Sequence, residues 1–377
     1  MILTRRTIAA AMLAAFTACT TAFAQSEIRL GTIKLPEGFH ISTFAAKVPN
    51  ARSMTLGADG IVYVSSRDRG AGQVYAVVDK DKNGEAEEVH VIAKGLTNPN
   101  GVAYRDGALY VAAVNQIFRF DNIDTTYMNS PASVLVTDAY PSDATHGWRY
   151  IAFGPDGKLY VPVGSPVNVG EPPTDHHACI TTINADGTGM EVFAKGVRNT
   201  VGFDWHPKTK ELWFTENGRD LLGPDSPPDE LNRVPKSGMH FGFPYFFGKD
   251  TPDPKFGEGK KASDYTGAAL DLAPHAAALG MRFYTGTMFP EKYRDQIFIA
   301  EHGSAERKPP AEPTGYCISL ATLDADSKVT KYETFAKGWM QTGTAWGRPA
   351  DVLVMPDGAL LVSDDTANCI YRITYSK

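Results

Sequence analysis

Ile151 to Val161 read IAFGPDGKLYV. Apolar and polar residues alternate on both sides of a Pro-Asp-Gly turn, the pattern of two half-buried strands joined as a hairpin. The pattern recurs as MTLGADGIVYV at 54–64, VAYRDGALYVA at 102–112 and VLVMPDGALLV at 352–362. Two looser copies fill the gap: VGFDWHPKTKELWF at 201–214, and MRFYTGTMFPEKYRDQIFIA at 281–300 with a longer connection. That makes six units. The first Asp-Gly pairs, at Asp59, Asp106 and Asp156, stand 47 and 50 residues apart. A repeat of this length is one four-stranded blade of a β-propeller. Longer later intervals place insertions near 218–270 and 301–340. GQVYAVV (72–78) and NQIFRF (115–120) read as further strands of their blades. NCIYRITY (368–375) is expected to pair with FHISTFA (39–45) in one blade, closing the ring and hiding its edges. The reading is all-β: one six-bladed β-propeller of four-stranded antiparallel blades over residues 25–377. A β-sandwich or several small domains would not produce four near-copies.

The N-terminus reads as an export signal. MILTRRT is cationic, IAAAMLAAF is apolar, and Ala22-Phe23-Ala24 fits a small-x-small cleavage site before Gln25. The apolar run is too short for a membrane span. Residues 1–24 are therefore assigned to a signal peptide, and the mature chain to the periplasm or the exterior. Arg5-Arg6 hints at the twin-arginine route, and Phe16-Thr17-Ala18-Cys19 resembles a lipoprotein site that would leave a lipid anchor on Cys19. Loss of Arg5 and Arg6 takes the formal charge from −6 to −8. An acidic exported chain is a poor partner for nucleic acid. Cys179, Cys317 and Cys369 then allow one disulfide at most.

Repeat symmetry predicts which side chains meet on the propeller axis. Two residues before the first strand of successive units stand Arg52, Asn100, Arg149 and Asn199. Arg198 and Arg348 lie near that register, and His146 lies in the loop leading into its own unit. One end of the channel should thus carry arginines, asparagines and a histidine. Guanidinium forks suit carboxylates or phosphates, so the ring suggests a small anionic ligand. A histidine beside it has the proton affinity of a general base. Taken singly, each arginine could equally bond loop carbonyls, and His146 could be an ordinary loop residue.

These motifs resemble the soluble quinoprotein glucose/sorbosone dehydrogenase family over nearly all of the mature chain. The resemblance implies a six-bladed propeller that binds pyrroloquinoline quinone (PQQ) with calcium. His146, eight residues before Gly154-Pro155-Asp156, matches the family's base. Arg198-Asn199 in GVRNTVGF resembles the pair that contacts the quinone and reacting centre. TENGRD followed by PPDELN resembles the family's calcium turn, which implies that the carbonyls of Gly218 and Arg219 bind the catalytic ion. Asp229 and Glu230 are candidates for a structural calcium. Arg348 in GRPADV resembles a cofactor clamp. Arg52, Asn100 and Arg149 complete the candidate cofactor ring. The sequence departs from the family at Ala350, where a second arginine is expected, and at Ser165, where an acid is expected. Arg307 or Lys308 is a candidate source of the missing charge. NGRDLLGPDSPPDELN and AEHGSAERKPPAEPTGY look closer to the sorbosone-type branch. The implied function is oxidation of an aldose or sugar aldehyde by hydride transfer to the quinone. The partners would be a small sugar and a downstream acceptor, a cytochrome or membrane quinone.

Two other functions compete: a calcium-dependent propeller lactonase, and a non-enzymatic propeller that binds a glycan or protein. The first would need carboxylates and amides converging on an axial metal, where this register is arginine-rich. DKDKNGEAE (79–87) begins like an EF-hand loop, but His90 stands where the bidentate Glu belongs. His176-His177 lacks an apparent third metal ligand. Trp148 and Trp346 sit near the expected site; Trp205, Trp213 and Trp339 are expected in blade packing.

Overall fold

The computed structural model describes residues 27–68, 70–304, 307 and 311–377. The signal-peptide reading, the lipid anchor on Cys19 and the Lys308 candidate lie outside the described residues. No helix among the described residues is long and apolar enough to cross a membrane.

Six small antiparallel sheets form the six blades of a propeller. Blade 1 uses strands 51–56, 62–66, 72–78 and 88–96; blade 2 uses 101–105, 108–112, 117–120 and 134–137. Blade 3 uses 152–153, 159–163, 179–183 and 191–195, and blade 4 uses 202–205, 212–216, 228–234 and 270–274. Blade 5 uses 278–283, 297–301, 317–323 and 329–337. Blade 6 takes 349–354, 360–364 and 369–375 from the C-terminus and 39–45 from the N-terminus. Phe39 pairs with Tyr375 and Ile41 with Ile373, so the two ends of the chain close the ring as expected. Each repeat unit is the inner hairpin of a blade, with Val102 opposite Val111, Phe153 opposite Leu159 and Val352 opposite Val362.

Blade 3 departs from four strands. A fifth, two-residue strand at 239–240 joins its outer edge in parallel, with Ala194 opposite Met239. The insertion after the third strand of blade 4 reaches back to its neighbour, where Phe241 N–H finds the Lys195 carbonyl at 2.8 Å. This caps an edge whose backbone groups would otherwise lack partners.

The core is divided among the blade interfaces, because the inner strands are buried on both faces: every residue of 62–66, 108–112 and 159–163 is buried. Tyr63, Val74, Val102 and Leu109 pack between blades 1 and 2. Tyr160, Phe203, Leu212 and Phe214 pack between blades 3 and 4. Phe39, Phe289, Phe298 and Phe335 meet edge-on between blades 5 and 6. Trp213 and Trp339 are fully buried. Cys179, Cys317 and Cys369 are buried and free, so no disulfide links the described residues.

The inner strands approach closely around the axis. A Cβ on Gly202 would lie 2.1 Å from the Leu279 carbonyl oxygen, and one on Gly280 would lie 2.0 Å from Asp351 Oδ1. Arg282 lies among the inner strands of several blades. It stands 3.7 Å from Asp351, bonds the Met281 carbonyl at 2.7 Å, and lies 5.4 Å over the Tyr150 ring. This cation joins residues from blades 3, 5 and 6 at one point.

Candidate active site

In an antiparallel hairpin the start of the first strand lies beside the end of the second. Six such hairpins bring twelve short segments to one end of the channel. At that end, residues in or beside blades 1, 3, 4, 5 and 6 line a cavity of about 340 Å³. From before first strands come His146, Trp148, Arg198, Asn199 and Arg348, and from the start of the first strand of blade 1 comes Arg52. From positions after second strands come Arg67, Asn217, Gly218 and His302. Asp229 and His275 also reach the wall.

His146 has φ +50°, in the left-handed region. A non-glycine residue there costs about 1–2 kcal/mol, so the surrounding contacts must impose it. Its Nδ1–H donates to the Ser165 carbonyl at 2.6 Å, which leaves Nε2 as the unprotonated nitrogen. Burial, with Arg198 adding to it, lowers its pKa to about 4. The ring is thus a neutral base over the ordinary pH range. Gly164 is required beside it: an added Cβ would lie 2.5 Å from His146 Cβ and 2.7 Å from its carbonyl oxygen. Gly164→Ala is expected to displace the imidazole and lower turnover about 10- to 100-fold with little loss of fold. Steady-state kinetics beside a melting curve check this; unchanged turnover would show that the position of His146 does not matter.

Arg149 does not reach the cavity. Its guanidinium is buried and donates to the carbonyls of Val114 at 2.9 Å, Pro141 at 3.0 Å and His146 at 3.3 Å. It braces the loop that carries His146. Asn100 is also buried behind the wall, and its Oδ1 accepts Arg52 Nε at 3.3 Å. Arg198 is anchored by Asn168 and by the Asn217 carbonyl at 3.0 Å. Arg348 donates to the carbonyls of His302 and Gly303 and lies over the Tyr316 ring. Arg307 faces elsewhere, bonding Asp225 and the carbonyls of Pro224 and Glu312.

The departure at Ala350 has a local explanation. Trp148 packs against Val201, Leu279 and Ala350, so the small residue leaves room for the indole. Arg52 and Arg67 each lie 5.5 Å from the Trp148 ring centroid. The cationic charge absent at 350 is present on blade 1 instead. Ser165, the other departure, uses its backbone: its carbonyl takes His146 and its N–H donates to the Arg198 carbonyl at 2.8 Å. Trp346 is held away from the cavity, with Nε1–H on the Gly338 carbonyl at 2.8 Å.

The expected calcium residues divide. Gly218 lines the cavity, whereas the Arg219 side chain turns away to Asp253 at 2.6 Å. Asp229 accepts the N–H groups of Gly218 and Ala278, both at 3.0 Å, and burial raises its carboxyl to about 6. Glu230 accepts Asn232 Nδ2 at 2.9 Å and the Gly248 N–H, and burial raises it to about 7. Asp229 thus braces the turn at Gly218, and Glu230 ties blade 4 to the backbone of its insertion at Gly248. Asn199 Oδ1 is buried without a protein partner on the cavity wall, an acceptor suited to a cation or a ligand donor. Among the described residues, the one group of three carboxylates or histidines spaced for a metal is Asp79, Asp81 and Glu87, on the outer hairpin of blade 1. His177 is instead bonded to Asp143 at 3.1 Å and Thr174 at 2.8 Å.

The sequence register found the residues before first strands and passed over those after second strands. Arg67, Asn217, His302 and Asp365 each follow the last residue of a second strand directly. The same repeat could have located them.

The sequence profile of the Glucose / Sorbosone dehydrogenase family matches residues 105–372. An uncharacterised protein of Borreliella burgdorferi is 36% identical over 385 residues, covering 96% of this chain and 97% of its own. The calcium structure of a Trichoderma reesei carbohydrate-active enzyme of family AA12 superposes with TM-score 0.79 at 17% identity, over 94% of this chain and all of its own. The PQQ domain of Coprinopsis cinerea pyranose dehydrogenase, in its holo form, superposes with TM-score 0.74 at 18% identity, over 91% and 97%. At such identities the two superpositions bear on the fold alone; the profile match, over most of the chain, bears on descent. The chain belongs to the glucose/sorbosone dehydrogenase family.

Proposed function

We propose that this protein is an exported quinoprotein that oxidises an aldose or a sorbosone-like sugar aldehyde, with PQQ and calcium as cofactors and His146 as general base. The observation that carries the reading is His146 itself: a half-buried imidazole in a strained conformation, with one nitrogen bonded to Ser165, on the wall of a cavity lined by four guanidinium groups. The donor set suits the cofactor. Arg52, Arg67, Arg198 and Arg348 match a small polycarboxylate. The Gly218 and Arg219 carbonyls, and Asn199 Oδ1 on the cavity wall, offer the hard oxygen donors that calcium takes.

When bound, the calcium-polarised quinone supplies the hydride acceptor. The chain does the rest. His146 Nε2 takes the hydroxyl proton from the substrate as the hydride leaves the same substrate carbon. Arg198, fixed by Asn168 and Asn217, presents positive charge where negative charge develops. Arg348 holds a cofactor carboxylate. An aldose would leave as a lactone, and a hydrated aldehyde as an acid.

Calcium removal tests the cofactor assignment. Protein carrying the quinone is expected to lose dye-linked sugar oxidation on treatment with a calcium chelator and to regain it when calcium is restored. Undiminished activity without calcium would exclude the assigned role of Gly218 and Arg219.

A further inference from the structure

The oxidation described above leaves a second histidine of the cavity unused. His302 directly follows the second strand of blade 5 and is 6% exposed. Its Nε2–H donates to Asp365 Oδ1 at 2.8 Å. Asp365 holds the equivalent position in blade 6 and is buried as well. Its other oxygen accepts Arg52 Nη1 at 2.9 Å and lies 3.6 Å from Arg67 Nη1. Burial alone would raise the Asp365 carboxyl; His302, Arg52 and Arg67 overcome it and hold the group well below the usual carboxylate range. An ionised carboxylate on Nε2–H fixes the tautomer and leaves Nδ1 as a proton acceptor. Nδ1 makes no hydrogen bond among the described residues. The backbone is fixed too, since the His302 carbonyl accepts Arg348 Nε at 3.0 Å.

The charged groups facing His302 are Asp365 from blade 6, Arg52 and Arg67 from blade 1, and Arg348 ahead of blade 6. Burial lowers its pKa to about 4, Asp365 opposes the shift, and Arg52 and Arg348 add to it. His302 is thus a second neutral base in the same cavity. His275 also reaches the wall, but its Nε2 is directed at the backbone carbonyls of Gly223 and Ser226.

We propose that His302, oriented by Asp365, is a second acid–base group of the site and takes the proton released when the reduced cofactor passes its electrons on. This rests on the quinoprotein reading. The hydrogen balance calls for such a group. Oxidising a CH–OH centre to C=O breaks an O–H and a C–H bond. The hydroxyl proton goes to His146, and the carbon-bound hydrogen goes to the quinone with both electrons. When those electrons leave, one to each of two hexacyanoferrate(III) ions, that hydrogen remains as a proton. The acceptor ions cannot carry it, and His302 Nδ1 can. One proton then passes through each histidine in every turnover.

The test separates the two halves of the cycle in protein loaded with PQQ and calcium. Rapid mixing with sugar reads cofactor reduction, and mixing the reduced protein with hexacyanoferrate(III) reads re-oxidation. His302→Gln keeps an amide that can bond Asp365 but cannot take a proton. It is expected to slow re-oxidation roughly 10²-fold while changing reduction by less than about threefold. Its re-oxidation rate should rise with pH, as hydroxide replaces the lost base, where the wild type stays level. Added imidazole should restore part of the rate, which a merely structural defect would not allow. Re-oxidation at the wild-type rate and pH dependence would overturn the proposal. Nitrogen NMR of the cofactor-free protein gives an independent reading: a His302 tautomer protonated on Nε2 is expected, and one protonated on Nδ1 would overturn it. A wild-type protein that no sugar reduces would instead overturn the quinoprotein reading, and this inference with it.

Discussion

His146→Gln is expected to lower kcat about 10³-fold while the quinone still binds. The imidazole lies against Ser165 and is fixed by contacts that Gln can partly reproduce, so the cavity should keep its shape. What is lost is a neutral nitrogen at Nε2 able to take the hydroxyl proton. The pH dependence follows from the same geometry. The His146 pKa is depressed to about 4, burial being the main cause, so the base form prevails above that value and is lost below it. Wild-type kcat/KM should therefore be level through neutral pH and fall as pH drops through about 4. Retained turnover in the variant, or an acid limb near the usual histidine pKa, would remove His146 from the role of base.

Arg282→Met is expected to cost about 3–5 kcal/mol of stability, because it strips the cation from a buried cluster and leaves the carboxylates behind. Asp351 is 1% exposed and accepts the Met54 and Val352 N–H groups, while Asp204 accepts Phe283 N–H across the blade 4–5 boundary. Burial raises both carboxyls, and Arg282 opposes that rise. Without Arg282 their folded-state pKa values would stand further above the unfolded ones. The penalty is then present above those values and shrinks as pH falls and the groups protonate. Urea unfolding at neutral and mildly acidic pH reads this directly. A variant as stable as the wild type at neutral pH would show that the Arg282 ion cluster does not hold the inner strands together.

The fold was legible because its unit is local. A hairpin of alternating residues around Asp-Gly is written in eleven consecutive positions, and four such copies with two looser ones leave little choice of architecture. Closure by 39–45 and 369–375 was legible for the same reason: an unpaired strand at each end of a ring has one natural partner. The fifth strand of blade 3 was not, since Met239-His240 lies in an irregular insertion whose pairing depends on where blade 4 ends. Within the site, position in the repeat was readable but side-chain direction was not. Arg149 and Arg198 occupy similar registers, yet Arg149 turns back to three carbonyls and Arg198 faces the ligand space. Likewise, Arg307 and Lys308 are the sequence candidates for the charge absent at Ala350, yet Arg307 bonds Asp225. Arg67 stands on blade 1, which ring closure makes the neighbour of blade 6. His302 and Asp365 belong to adjacent blades and lie 63 residues apart, so their bond becomes visible only once blades 5 and 6 are packed side by side.

The central claim is that a sugar reduces a quinone held in this cavity. The most direct measurement is anaerobic mixing of the quinone- and calcium-loaded protein with a panel of aldoses and sugar aldehydes, with the absorbance of the cofactor followed and no dye present. Reduction by at least one sugar, abolished in His146→Gln, is the expected result. A bound quinone that no sugar reduces would contradict the account and return the cavity to a lactonase or a binding propeller.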